Sequence, residues 1–580
     1  MGETNTVKEE SKAIDRLVHA FIGRTTGGNS PAAMAQAYFD WVSHSAMVPG
    51  KQMELAKNIQ RNMTRYALYA GRVLARQNPE PPIKPLPQDY RFKAPGWQKF
   101  PFNLLHQAFL MNEQWWHYAT TDVPGLSKRN EDIVTFGARQ VLDMFSPSNF
   151  PLTNPEVIEK TRERAGRNFV DGFKNWLADL QRSANGEPPP GSEDFQVGKN
   201  LAVTPGKVVF RNHLIELIQY SPTTEKVFKN PLLIVPAWIM KYYILDLSPH
   251  NSMVRYLVEQ GHTVFMISWL NPSSSDRNLS MDDYREQGVM AAIDTIADIV
   301  PDTKIHSAGY CLGGTILSIA AATMAREGDD RLASMTLFAA QTDFKEAGEL
   351  LLFINESQLT FLEDLMWEQG YLEADQMAGA FMMLRSKDLL WSRIIHEYMM
   401  GETSRLNDLM AWNADTTRMP YRMHSQYLRT LFLNNDLAEG RFEVEGKPIF
   451  LRDIRVPLFA VGATKDHVAP WESVFKIRRL TGSPDNTFLL TAGGHNAGII
   501  SEPGHPRRSY QVHTRHTGDK YVGPEDWLLL AEKKEGSWWP EWHQWLADRS
   551  EGQVPPPSMG NAKKGCAPVC DAPGTYVLQK

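Results

Sequence analysis

Apolar positions along the chain keep two different rhythms, and the change of rhythm divides it. From Pro31 to about Leu180 apolar residues recur at helical spacing. Leu55, Ile59, Met63, Tyr66, Ala70 and Val73 share one helix face, and the pattern is denser over Phe109–Trp116 and Val134–Phe145. Packing into a core is the first expectation for such a face; a second subunit or another apolar surface is the alternative. Residues 1–30, which end in Gly27-Gly28-Asn29-Ser30, lack the rhythm and read as mobile. The segment Ser183–Ser192, with Pro188-Pro189-Pro190, is a linker by composition. Beyond it, strand-length apolar runs alternate with helical stretches. Lys207–Arg211, Leu214–Tyr220, Leu232–Val235, Thr263–Trp269, Lys304–Ala308 and Ser334–Ala340 read as strands, and Ser252–Gln260 and Asp282–Ile299 as helices. That alternation predicts a mainly parallel sheet with right-handed crossovers. A mainly helical domain over 1–194 therefore precedes an α/β domain over 195–580.

The α/β pattern is interrupted between Ala340 and Val456. So long a stretch is not a loop, and residues 343–455 read as a cap over the site. Met377–Leu384 and Tyr398-Met399-Met400 are rich in methionine and aromatics. Flexible thioethers suit a passage for acyl chains, although ordinary cap core is the simpler reading.

The sharpest chemical signal is Gly309-Tyr310-Cys311-Leu312-Gly313, between the strand at Lys304–Ala308 and the helix-like Thr315–Ala322. A G-x-nucleophile-x-G turn between strand and helix is sharp, and its glycines avoid clashes with neighbouring strands. It lifts the nucleophile above the sheet and sets the Leu312 N–H at a helix start, where a developing oxyanion is held. Asp466 follows the strand Val456–Ala463, and His495 follows Thr487–Leu490. Nucleophile, acid, histidine is the chain order of α/β-hydrolases, so the fold class expected is α/β-hydrolase with a cap insertion. His495 then serves as base to Cys311, and Asp466 fixes its tautomer. A thiol that attacks a thioester keeps the acyl group activated for passage to an alcohol, which favours acyl transfer over hydrolysis.

Composition narrows the rest. The net charge is −6 over 580 residues, and no run of Lys and Arg exceeds two, so no nucleic-acid footprint is expected. Three cysteines, Cys311, Cys566 and Cys570, do not make a disulfide scaffold and fit a reducing cytoplasm. No paired His or Cys cluster accompanies Cys566 and Cys570, so no metal site is expected. The start lacks the apolar segment of a signal peptide, and no apolar run is long enough to span a membrane.

Over most of its length the chain resembles the polyhydroxyalkanoate synthases, the poly(3-hydroxybutyrate) polymerases. The resemblance rests on Asp89-Tyr90-Arg91-Phe92 with Trp97, Ser146–Phe150, Thr153–Glu156, Val235–Leu247, Ser268–Pro272, Asp283-Tyr284, the box Gly309–Gly314 and Trp412–Asp415. It implies a cytoplasmic enzyme at granule surfaces that polymerises (R)-3-hydroxyacyl-CoA, with 3-hydroxybutyryl-CoA as the expected monomer, into polyester and releases CoA. It needs no cofactor and works as a homodimer. The resemblance makes Cys311 the acyl-bearing nucleophile, His495 its activator and Asp466 the partner acid. The second oxyanion donor falls to Ala237 or Trp238, and Asp246, Tyr284 and Trp412 are substrate-pocket candidates. The chain departs from the family pattern at Ala237, Leu270, Ser273 and Asn496, none of them a triad position.

Asp246 and Tyr284 fit structural hydrogen bonding as well as chemistry. The cluster Trp538-Trp539-Pro540-Glu541-Trp542 with Trp545 reads as a helix docking its indoles. Two rivals stand beside polymerisation: a thioesterase or polyester depolymerase of the same fold, and a non-catalytic granule protein with a degenerate site.

Overall fold

The computed structural model describes residues 12, 14–23, 26, 28–86, 89–373, 386–403 and 405–580. The methionine-rich stretch 377–384 lies outside them. The chain forms two compact units, one of Met1–Arg24, Pro190–Met377 and Leu406–Lys580, the other of Thr25–Pro189 and Ala378–Arg405.

The first unit is built on an eleven-stranded sheet. Its strands in chain order are β1 (Gly206–Arg211), β2 (Ile215–Tyr220), β3 (Leu232–Val235), β4 (Val264–Trp269), β5 (Ile305–Tyr310), β6 (Leu332–Phe338), β7 (Leu458–Ala463), β8 (Asp485–Thr491), β9 (Ser509–His516), β10 (Glu532–Glu535) and β11 (Cys570–Asp571). In space they run β10-β9-β8-β7-β6-β5-β3-β4-β2-β1-β11. From β4 to β8 every neighbouring pair is parallel, and both flanks are antiparallel. Strands β3, β5 and β7 are buried along their whole length, as helices on both faces of a parallel sheet require. This is the α/β-hydrolase architecture expected, and it aligns the ends of β5, β7 and β8 at one edge.

Two features of this unit lay beyond the sequence pattern. Residues 14–23, read as mobile, form a helical stretch. His19 Nδ1 lies 2.7 Å from Asp364 Oδ2 and the Arg16 guanidinium 4.6 Å from the Trp367 ring, so the stretch is anchored to the helix Glu356–Gln369. Its anchor lies more than three hundred residues away, which local periodicity does not register. The residues around Cys566 and Cys570, read as a tail, complete the sheet edge as β11.

The second unit contains α1 (Pro31–Met47), α2 (Pro49–Leu74), α3 (Phe102–Thr120), α4 (Lys128–Met144), α5 (Pro155–Glu163) and α6 (Arg167–Asn185). Ion pairs of one residue help hold it together: Arg91 reaches Asp89 at 2.7 Å, Glu113 at 2.9 Å and Asp143 at 3.1 Å. Trp97 is buried edge-on to Phe92, and Asn154 caps α5. The stripe on α2 departs from its expected core role. Met63 is 68% exposed and Ile59 41%, while Asn58, Asn62 and Tyr69 are buried. The stretch 386–403, read as part of the cap, packs on α6. Asn168 Nδ2 donates to Met399 O at 2.7 Å and Asn175 Nδ2 to Glu397 O at 2.9 Å, and a Cβ on Gly172 would lie 1.9 Å from Tyr398 O. The insertion is thus divided between the two units.

Candidate active site

Cys311 stands between β5 and the helix Leu312–Glu327 with φ 53° and ψ −124°. A non-glycine residue in this region is strained, and the neighbours show what enforces it. A Cβ on Gly309 would lie 2.3 Å from Gly314 Cα, and one on Gly313 would lie 2.0 Å from Val235 O. The elbow closes only because these positions lack side chains. That same closeness brings the start of the helix against the backbone of Val235 and Pro236, where the loop after β3 begins. Ala237 and Trp238 in that loop are buried, and Thr417 Oγ1 donates to Trp238 O at 2.9 Å.

Asp466 lies just past β7. Its Oδ1 accepts from Val468 N at 2.9 Å and Ala469 N at 2.8 Å, which leaves Oδ2 for His495 Nδ1 at 2.7 Å. The two loops are knitted by Lys465 N to Gly493 O at 2.8 Å and Thr464 N to Thr491 O at 2.9 Å. Burial alone would pull the His495 pKa down. The Asp466 carboxylate and Cys311 beside it hold it well above the ordinary value. An acid–histidine pair locked in this way can accept a proton from the cysteine and return it.

Two residues that sequence reasoning did not single out shape the site. The Tyr310 ring stacks on His495 at 5.7 Å, and its hydroxyl donates to Asn496 Oδ1 at 2.5 Å. Asn496 is one of the departures from the family pattern, and its adjacency to His495 was the available signal. Tyr427, on the helical stretch Tyr427–Leu433, reaches the site from the divided insertion. Burial, and then the proximity of Cys311, raise its phenol far above the ordinary value. No sequence signal distinguishes it.

The pocket candidates separate. Trp238 lies 5.7 Å from Tyr284 and 6.2 Å from Tyr427, ring to ring, so Tyr284 belongs to the wall behind the loop that follows β3. Trp412 is buried in the cluster that borders Cys311 and donates to Lys241 O at 2.8 Å. Asp246 is tied instead to Thr204 Oγ1 at 2.5 Å and Ser252 Oγ at 2.7 Å. Burial raises its pKa, as for a carboxyl that braces a loop. The indoles of Trp538 and Trp539 donate to Gly498 O and Ile499 O, each at 3.0 Å, and so support the loop that carries His495. Among the described residues no group of His, Cys, Asp and Glu could hold a metal ion.

With this geometry in hand, comparison with known proteins is decisive at the level of family. The model for the poly-beta-hydroxybutyrate polymerase (PhaC) N-terminus matches residues 88–257, that for the polymerase N terminal matches 9–51, and that for the alpha/beta hydrolase fold matches 230–501. A poly(3-hydroxyalkanoate) polymerase of Methylorubrum extorquens is 41% identical over 86% of this chain and 82% of its own. The chain belongs to the poly(3-hydroxyalkanoate) polymerase family. The polymerase subunit of Cupriavidus necator is 36% identical over 85% of this chain and 83% of its own, and polymerase 2 of Ectopseudomonas oleovorans is 33% identical over 90% and 94%. Among solved structures, the Paleococcus ferrophilus monoacylglycerol lipase is 12% identical with a TM-score of 0.29, over 56% of this chain and 98% of that one. The thioesterase domain from the curacin pathway is 14% identical with a TM-score of 0.30, over 51% and 94%. This polymerase-family chain has, among its described residues, no helix long and apolar enough to cross a membrane.

Proposed function

We propose that the chain polymerises (R)-3-hydroxyacyl-CoA, with 3-hydroxybutyryl-CoA as the monomer, through an acyl-cysteine at Cys311. The observation that carries this reading is the strained Cys311 on its elbow beside the His495–Asp466 pair. Cys311 Sγ attacks the thioester carbonyl while its proton passes to His495. The oxyanion rests on Leu312 N–H and an N–H of the Ala237–Trp238 loop. The bond to the CoA sulfur breaks, and CoA leaves with the proton from His495. A 3-hydroxyl then attacks the acyl-cysteine, gives its proton to His495 and forms the ester as the thiol is restored. One thioester replaces another of similar energy, so activation survives until the ester forms. The buried surroundings of Trp238, Tyr427 and Trp412 favour transfer over hydrolysis by excluding water. Tyr284 supports that wall, whereas Asp246 acts through loop structure.

The same proposal includes action at polyester granules in the cytoplasm and a homodimer. Exposed Met34, Phe39, Met63, Leu68, Phe173 and Trp176 on the helical unit support an apolar partner surface. Sedimentation with and without polyester particles distinguishes them: granule binding depletes the protein with the particles, and dimerisation alone doubles the mass in free solution.

The function is tested by CoA release and product analysis with (R)-3-hydroxybutyryl-CoA. Wild type is expected to release CoA and leave insoluble polyester, and Cys311→Ala to do neither. Free hydroxybutyrate in place of polymer would assign a thioesterase.

A further inference from the structure

The most unusual polar group outside the triad is Arg478, on the short helix Ile477–Leu480. It is 1% exposed, and none of its Nε, Nη1 and Nη2 atoms has a hydrogen-bond partner. The face of Phe475 lies 4.7 Å from the guanidinium carbon. A buried cation without an anion costs several kcal/mol, far more than one cation–π contact returns.

The neighbours of Arg478 include further buried polar groups. Asn486 and Phe488 alternate on β8, so they share a sheet face. In the antiparallel register Asn486 opposes Arg515 and Phe488 opposes His513. Phe488 packs on Phe475 at 4.9 Å and on Trp527 at 5.0 Å, which is the side that Arg478 occupies. On that face Asn486 Nδ2 and Oδ1, His513 Nδ1 and Trp527 Nε1 are also buried and without partners. Burial, then the charge of Arg515, pulls the Arg478 guanidinium down to about 10, so it is still charged at neutral pH. Burial and then Arg478 lower His513. The nearby carboxylates are engaged elsewhere. Asp485 takes His516 Nδ1 at 2.7 Å and Arg549 at 3.6 Å, and Asp519 accepts from His516 N at 2.8 Å.

We propose that Arg478, Arg515 and His513, with the Asn486 amide, form a binding site for a phosphate-class oxyanion, separate from the catalytic triad. The planar fork of arginine presents paired N–H groups that match two oxygens of one phosphate, and two such forks with an imidazole suit a doubly charged anion. Half-buried Arg515 and His513 and exposed Tyr521 give the anion a way in from solvent. The site lies near the start of β8, while the loop to His495 leaves its other end at Thr491. At about 3.3 Å per residue the two are roughly 17 Å apart along the strand, so occupation does not compete with the acyl group.

Calorimetric titration of the full chain with inorganic phosphate, at fixed ionic strength in chloride, tests this. Saturable binding of one phosphate per chain is expected, weakened at least tenfold in Arg515→Gln and in Arg478→Met. Arg515→Gln carries the test if Arg478→Met does not fold, because Arg515 is only half-buried. A flat wild-type titration, or one that Arg515→Gln leaves unchanged, overturns the site and leaves these donors to solvent. CoA and dephospho-CoA as competitors separate two sources of the same chemistry. Competition by CoA alone assigns the ligand to a nucleotide 3′-phosphate, and competition by neither assigns it to free phosphate; both uphold the site.

Discussion

At the scale of single residues, the site depends on how His495 is held. Asp466 keeps its pKa well above the ordinary value against the pull of burial. A raised histidine pKa means that the folded state binds the proton more tightly than the unfolded state. The resulting stability is complete below the unfolded value near 6.5 and is lost as pH rises through the elevated folded one. Denaturant titrations across pH should therefore show wild type losing stability relative to His495→Gln above neutrality, and the two curves running parallel in acid. Tyr310→Phe removes the hydroxyl that holds Asn496 and keeps the ring that stacks on His495. A fall in kcat of about fivefold, for roughly 1 kcal/mol of lost hydrogen bonding, is expected with KM nearly unchanged. An unchanged kcat would reduce the Tyr310–Asn496 bond to scaffold. Neither partner's role was visible from residue type, because the bond joins positions 186 apart in sequence. Cys311, Asp466 and His495 were legible, because each follows a strand and their order is diagnostic.

At the scale of elements, the elbow is a packing device as much as a turn. Gly313 allows the helix to abut the end of β3 and the loop after it, since any Cβ there meets Val235 O at 2.0 Å. Gly313→Ala is expected to cost about 1–3 kcal/mol of stability and to separate the two sets of oxyanion donors. CoA release should fall at least a hundredfold, the loss typical of one misplaced oxyanion donor. Thermal melting together with the turnover assay reads both effects, and native turnover would show that the helix shifts without cost. The helix α2 gives the opposite lesson about legibility. Its stripe has the right period for a core face, yet Met63 and Ile59 are exposed, because periodicity records that a face is apolar and not what covers it.

At the scale of the whole molecule, Cys570–Asp571 close one edge of the sheet as β11. Glu216 on β2 is buried and accepts from Thr575 N at 2.8 Å, Tyr576 N at 3.0 Å and Thr575 Oγ1 at 2.8 Å, with Arg211 at 2.5 Å. Removal of residues 566–580 strips β11 and leaves Glu216 with Arg211 alone. A loss of about 3–5 kcal/mol is expected, as for a buried carboxylate deprived of its partners, and Glu216→Gln in the truncated chain should recover part of it in urea denaturation. The sequence by itself determined the alternation of strands and helices, the elbow and the order of Cys311, Asp466 and His495. These follow from local rules: side-chain period, the glycine requirement of a sharp turn, and a chain order tied to the strand ends. Only the tertiary structure decided the division of the insertion between two units, the anchoring of residues 14–23, the closure of the sheet by β11, the meeting of Tyr310 with His495 and Asn496, and the approach of Tyr427 to Cys311. Each depends on contacts between residues far apart in the chain, whose energies no local pattern carries.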